Sequence, residues 1–264
     1  MTAASPATTL QRFPETAAAD ASPMTILRSS IFFIWFLLVS VVIHIAALPA
    51  LVMPPAVTLW VGRVWCDAVL WGLKTFVGQD FEVRGQIPPD GTLIAAKHMS
   101  MWDTLALYIN LNQPLFVLKR ELLNIPFYGW FVRRAGMIAI DREGHASALR
   151  KMAAAVRAAI ARGHAVIIFP EGTRKKPGAE PAYKPGVAGL YGQLGSECVP
   201  VALNSGLYWT GPGGFLKRPG KIVLEFLPAI PPGLRRREFM TTLEERIETA
   251  TRKLVAEGRA RLAR

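Results

Sequence analysis

No charged side chain occurs between Ser29 and Gly62, where the chain reads SIFFIWFLLVSVVIHIAALPALVMPPAVTLWVG. A stretch this apolar cannot lie against water along its whole length. About 20 such residues suffice to cross a bilayer as a helix, whereas the apolar core of a cleaved signal peptide is only about 7–15 residues long. Pro49, Pro54 and Pro55 interrupt the run in its middle. Proline removes a helical N–H and clashes with the preceding turn, so the stretch is expected as two shorter apolar helices forming a hairpin. A single tilted span is the rival arrangement. Arg28 precedes the run and Arg63 and Lys74 follow it, which suits a hairpin with both ends on the cytoplasmic side. His44 inside it reads as a packing or interfacial histidine. Residues 1–24, rich in Ala, Thr, Ser and Pro without periodicity, read as a disordered tail, and 25–77 as a membrane-embedded helical segment.

Charge points the same way. The 264 residues include 31 Lys and Arg against 19 Asp and Glu, a net charge of +12, so the surface attracts polyanions. Hydrophobic residues make up 51 % of the chain and mean hydropathy is +0.27. That balance favours an anionic lipid surface over nucleic acid, and no nucleic-acid partner is expected. Cys66 and Cys198 are the only cysteines. They are far apart, with no Cys/His cluster around them, so neither a disulfide framework nor a zinc site is expected.

Beyond residue 78 short apolar runs alternate with helical stretches. DFEVRG, TLIAAKH, PLFVLK, MIAIDR, AVIIFPE, CVPVALN and IVLEFLPAI are strand candidates. Helices are expected from near Ser100, over IPFYGWFVRRAG, over 145–162 with Leu149, Met152, Ala153, Val156 and Ile160 on one face, and over 236–262 with Phe239, Leu243, Ile247 and Leu254 aligned. Alternation of this kind predicts an α/β fold, a mostly parallel central sheet flanked by helices, with the apolar helix or hairpin attached at its N-terminal end.

Four short blocks could carry chemistry. In KHMSMWD, His98 and Asp103 are five apart, about 500° of helix and roughly 140° around the axis. They meet only if His98 stays in the turn before the helix that Asp103 begins. Ser100 would then be the N-cap and Asp103 the third helical residue. The aspartate would fix the imidazole tautomer and leave the other nitrogen as a base; simple helix capping beside a surface histidine is the alternative. FPEGTR follows a buried-strand run, and its Gly172 and Arg174 suit an anion, with Glu171 orienting Arg174 or meeting a polyol. A turn with a surface ion pair is the other reading. GMIAIDR brings Arg142 to a strand end. CVPVALNSG holds Pro200, which either shapes a pocket or starts an edge strand. Lys119, after another strand, is a candidate for stabilising negative charge or an interfacial lysine.

In this order, HMSMWD, GMIAIDR, FPEGTR and VPVALNSG resemble the four ordered blocks of the glycerolipid acyltransferase family, over roughly residues 75–255. Many members carry Asn or Gln where this chain has Met99. The resemblance implies a glycerolipid acyltransferase fold, with 78–264 as the acyltransferase domain. It implies acyl transfer from an acyl-CoA or acyl carrier protein thioester to the sn-2 hydroxyl of lysophosphatidic acid, giving phosphatidic acid. Another lyso-lipid such as a lyso-ornithine lipid is an alternative acceptor, and ester or thioester hydrolysis an alternative reaction. His98 would be the general base and Asp103 its orienter. Glu171, Gly172, Thr173, Arg174, Arg142 and Lys119 would bind substrate, with no cofactor and no metal required. The partners implied are the thioester donor, the lysophospholipid acceptor and the bilayer, placing the enzyme on the cytoplasmic membrane with its site at the cytoplasmic face.

Overall fold

The computed structural model describes residues 22–140, 145–210 and 212–263. Helix α1 (Pro23–Ala46) starts where Ser22 Oγ accepts the Thr25 N–H at 3.2 Å, with Pro23 in the first turn where its missing N–H costs nothing. A 3-10 turn over Leu48–Leu51 follows, and Pro55 opens α2 (Pro55–Gly72). The prolines therefore make a hairpin. Trp35 Nε1 donates to the Ala68 carbonyl at 3.0 Å, and Trp65 Nε1 to Ser40 Oγ at 3.0 Å. Gly72 lets the helices close, since a Cβ there would lie 2.2 Å from the Trp35 ring. Helix α1, and α2 together with the turn that continues it to Val77, are long and apolar enough to cross a membrane. Their burial differs: α1 is mostly exposed, while α2 buries Cys66, Val69 and Leu70 in the main core. A π-helical turn (Leu73–Val77) ends at left-handed Gly78.

The strands are β1 (Gln79–Arg84), β2 (Leu93–Ala96), β3 (Leu115–Lys119), β4 (Ile138–Ile140), β5 (Val166–Ile168), β6 (Cys198–Leu203), β7 (Trp209–Thr210), β8 (Leu216–Lys217) and β9 (Gly220–Phe226). Seven of them form one sheet in the order β1-β9-β6-β2-β5-β3-β4. Every neighbouring pair is parallel except β6 with β9. The sheet is thus mostly parallel and flanked by helices α3 (Trp102–Asn110), α4 (Tyr128–Arg134), α5 (His145–Ala161), α6 (Gly186–Leu194) and α7 (Arg236–Leu262), as the alternation predicts. β7 and β8 form a separate small hairpin. It is tied to α1 where the Lys217 N–H donates to Ser29 Oγ at 2.9 Å. The Lys217 ammonium lies 4.2 Å over the Trp209 ring, and burial lowers its pKa to about 8.

The connections explain where a site can form. From β2 the chain crosses through α3 to β3, moving toward the β4 edge; from β5 it crosses through α6 to β6, moving the opposite way. Right-handed crossovers put such helices on opposite faces. The packing agrees, with α5 against α6 and α6 against α7 on one side, and α2 against α3 on the other. Neighbouring strands β2 and β5 therefore part at their carboxyl ends, the place where open α/β sheets leave a crevice.

Packing also settles side chains that the sequence leaves open. Trp102 is buried edge-on against Phe81, and Met99 is buried in the main core. In the 125–136 segment Phe131 is buried while Phe127 and Trp130 are exposed. Pro200 is not on an edge strand: β6 lies between β9 and β2, and Pro200 is tolerated because the β9 ladder begins only at Val201.

Candidate active site

His98 emerges two residues after β2, and Phe169–Arg174 leaves the end of β5 beside it. The two segments are stitched by the Lys175 N–H, which donates to the His98 carbonyl at 2.8 Å. Helix α3 begins at Trp102, with Met101 in the cap position, so Asp103 is the second helical residue and Ser100 is not the N-cap. Capping runs the other way: Asp103 Oδ2 accepts the N–H groups of Met99 at 2.6 Å and Ser100 at 2.9 Å. The same oxygen lies 2.9 Å from His98 Nδ1. A carboxylate that accepts from its neighbours requires the proton on Nδ1, which leaves Nε2 as the basic nitrogen. The imidazole stacks on Phe169 with centroids 3.9 Å apart and planes 16° from parallel. His98 stays outside the helix, as the five-residue spacing demands.

A cavity of about 1010 Å³ opens beside this pair. His98, Gly172, Thr173, Arg174 and Lys119 line it, and apolar walls come from Leu105, Tyr108, Phe116, Val132 and Met152 with Val61 and Gly62 of α2. His44, whose Nδ1 donates to the Ser40 carbonyl at 2.7 Å, also reaches the lining. The Gly172 N–H closes a turn on the Phe169 carbonyl at 2.9 Å, and its φ of 65° is a conformation glycine adopts without strain. Arg142 lies outside the described residues.

Glu171 takes a different position from its neighbours. Its side chain is buried behind the loop, 3.0 Å from Lys97 Nζ, and does not line the cavity. Lys97 also meets Glu248 of α7 at 2.7 Å, and Tyr183 donates to the same Glu248 oxygen at 3.0 Å. One lysine thus faces two carboxylates. Burial pushes the Glu171 carboxyl above its ordinary value, against the pull of Lys97. The cluster ties α7 to the strand end that carries His98. The sequence offers only a lysine preceding the histidine as a sign of it. Removing the cation strands two buried charges, so Lys97→Met is expected to cost about 3–5 kcal/mol, read from the urea midpoint in detergent. Glu171→Gln leaves a balanced Lys97–Glu248 pair and is expected to change stability by less than about 1 kcal/mol.

A histidine held by an aspartate, set where two strands part and facing an apolar cavity, has the chemistry to take a proton from a hydroxyl. The comparisons give the family. Residues 80–204 match the model described as Acyltransferase. A 1-acyl-sn-glycerol-3-phosphate acyltransferase of Pseudomonas aeruginosa is 35 % identical over 196 residues, covering 73 % of this chain and 76 % of that one. One from Chlamydomonas reinhardtii is 29 % identical over 222 residues, covering 78 % and 64 %. The crystal structure of the 1-acyl-sn-glycerophosphate acyltransferase of Thermotoga maritima has the same fold, with a TM-score of 0.64 at 21 % identity over 86 % of this chain and 97 % of that one. The chain belongs to the acyltransferase family, as its four sequence blocks indicate.

Proposed function

We propose that this acyltransferase acylates the sn-2 hydroxyl of lysophosphatidic acid from a thioester of coenzyme A or acyl carrier protein, producing phosphatidic acid. The observation that carries the reading is the His98–Asp103 pair opening on the same cavity as Arg174. His98 Nε2 takes the acceptor's hydroxyl proton as that oxygen bonds to the thioester carbonyl carbon. The carbon–sulfur bond then breaks, and the departing thiolate recovers the proton from the imidazolium. Asp103 holds the tautomer and stabilises the imidazolium. Arg174, with Gly172 and Thr173 beside it, binds the glycerol phosphate through its planar fork. Lys119 lines the same cavity and is assigned to stabilising negative charge, Arg142 is assigned a second phosphate contact, and Glu171 supports the loop through Lys97. The name of the Pseudomonas aeruginosa relative supports the same acceptor.

The bilayer supplies the acceptor, and the acyl chain comes from the thioester. Exposed Ile34, Leu38, Val42 and Ile45 of α1, with Phe127 and Trp130 near α4, make an apolar surface suited to lipid. The site then works at the cytoplasmic face of the cytoplasmic membrane, where thioester donors are made. A purified-enzyme assay tests this, offering lysophosphatidic acid and a lyso-ornithine lipid in parallel, each with acyl-CoA and acyl carrier protein thioesters. Turnover of the lyso-ornithine lipid alone would refute the phosphate acceptor. Arg174→Ala is expected to raise the apparent KM for lysophosphatidic acid by about 10- to 100-fold, the loss of one charge-assisted contact. A fall in kcat with KM unchanged would remove Arg174 from ground-state binding.

A further inference from the structure

We propose that Ser205 is a positioning residue of the site, holding the oxygen of Asp103 that His98 does not use; this rests on the His98–Asp103 reading above. Asp103 is fully buried and its two oxygens have separate duties. Oδ2 receives His98 Nδ1 and two backbone N–H groups. Oδ1 receives the Ser205 hydroxyl, with Ser100 Oγ 3.2 Å away. A carboxylate oxygen only accepts, so the single Ser205 proton goes to Asp103 and its lone pair takes the Ser100 hydroxyl at 2.8 Å. The result is a chain in which Ser100 donates to Ser205 and Ser205 to Asp103 Oδ1, while His98 donates to Asp103 Oδ2 from the other side.

The placement of Ser205 follows from the sheet. β6 runs parallel to β2 with Val201 opposite Ala96, and the Lys97 N–H donates to the Val201 carbonyl at 2.9 Å. The carboxyl end of β6 therefore lies beside the strand end from which His98 emerges. Three consecutive residues finish the job. The buried Asn204 side chain donates to the Leu254 carbonyl of α7 at 3.0 Å and accepts the Val223 N–H of β9 at 2.8 Å, fixing the start of the turn. Ser205 follows, fully buried, with Asp103 and Ser100 as its hydroxyl's partners. Gly206 permits the close approach, since a Cβ there would come within 3.1 Å of Met99 Cβ and 2.9 Å of the Pro177 ring. The NSG triplet of the proline-bearing strand is thus built toward Asp103, while neither Pro200 nor Ser205 lines the cavity. Without Ser205, only the longer approach of the Ser100 hydroxyl at 3.2 Å is left on Oδ1, so the carboxylate plane is held less firmly and the imidazole is aimed less well.

The test uses the purified full chain and both substrates. Ser205→Ala is expected to lower kcat by about 10- to 100-fold, as for a hydrogen bond to a charged group, with both KM values within about twofold and the enzyme still fully folded at the assay temperature. Ser205→Thr, which keeps the hydroxyl, should recover most of the rate. Because Ser205 acts through Asp103, Ser205→Ala should cost less than about twofold in an Asp103→Asn background, whereas a general loss of folded enzyme would scale both backgrounds alike. The proposal is overturned if Ser205→Ala keeps more than about half of the wild-type kcat, if a folded Ser205→Thr is as slow as the alanine variant, or if the cost is equal in both backgrounds. His98→Ala run alongside separates the two readings: a dead His98→Ala with a fully active Ser205→Ala ends only this proposal, while an active His98→Ala ends the general-base reading itself.

Discussion

His98→Ala is expected to lower kcat by about 10²- to 10⁴-fold, the range for loss of a positioned general base, with little effect on the thermal midpoint. The rate effect follows from geometry. Among the described residues the imidazole is the only titratable ring joined to Asp103, and its stacking on Phe169 leaves one nitrogen edge to meet an acceptor. The weak effect on stability has its own reason. Met99 and Ser100 still donate their N–H groups to Asp103 in the variant, so the carboxylate keeps its partners and α3 its start. Initial rates at saturating acceptor, with a melt on the same preparation, check both halves. Near-normal turnover would remove His98 as the base. A collapsed midpoint would mean that the ring holds the turn together, making the rate loss uninterpretable.

Much of this arrangement is legible in the sequence because it repeats at short range. Strand–helix alternation gives the parallel sheet, and five-residue spacing forces His98 out of the helix. The α7 stripe of Phe239, Leu243, Ile247 and Leu254 is fully buried as its periodicity requires. What escapes is long-range or locally contradictory. Helix α6 contains Gly186, Gly189 and Gly192, a composition that argues against a helix. Gly189 is there because a Cβ would lie 2.7 Å from Leu149 Cδ2 of α5, so tertiary approach overrides propensity. The Lys97–Glu248 pair joins residues 151 apart and Ser205–Asp103 residues 102 apart. No local pattern announces either one. Glu171 shows the same limit within a motif. Its neighbours in FPEGTR face the cavity, but its own carboxylate is drawn inward by a lysine that sequence reading treats only as the residue before a histidine.

The apolar segment is the other place where pattern and packing diverge, and it yields the second large effect. By composition 25–77 is an anchor that could be cut away. In the fold, Cys66, Val69, Leu70, Leu73 and Val77 fall on one side of α2 and its terminal turn, and all are buried in the main core. Arg63 of the same helix donates to the Ile109 and Leu111 carbonyls at the end of α3, satisfying groups that a helix terminus leaves open. Leu73→Ala is therefore expected to destabilise the enzyme by about 2–5 kcal/mol, as for a fully buried leucine, measured as a shift in urea midpoint in detergent. Ile34→Ala, on the exposed side of α1, should stay within about 0.5 kcal/mol in the same measurement. It should instead weaken recovery of the protein with lipid vesicles. By the same reasoning, deleting residues 1–77 should give an aggregating chain, because the face of α3 and the sheet that α2 covers would be open to water. A soluble, active truncated enzyme would show that α2 is an anchor after all and that its buried face contributes nothing the catalytic domain needs.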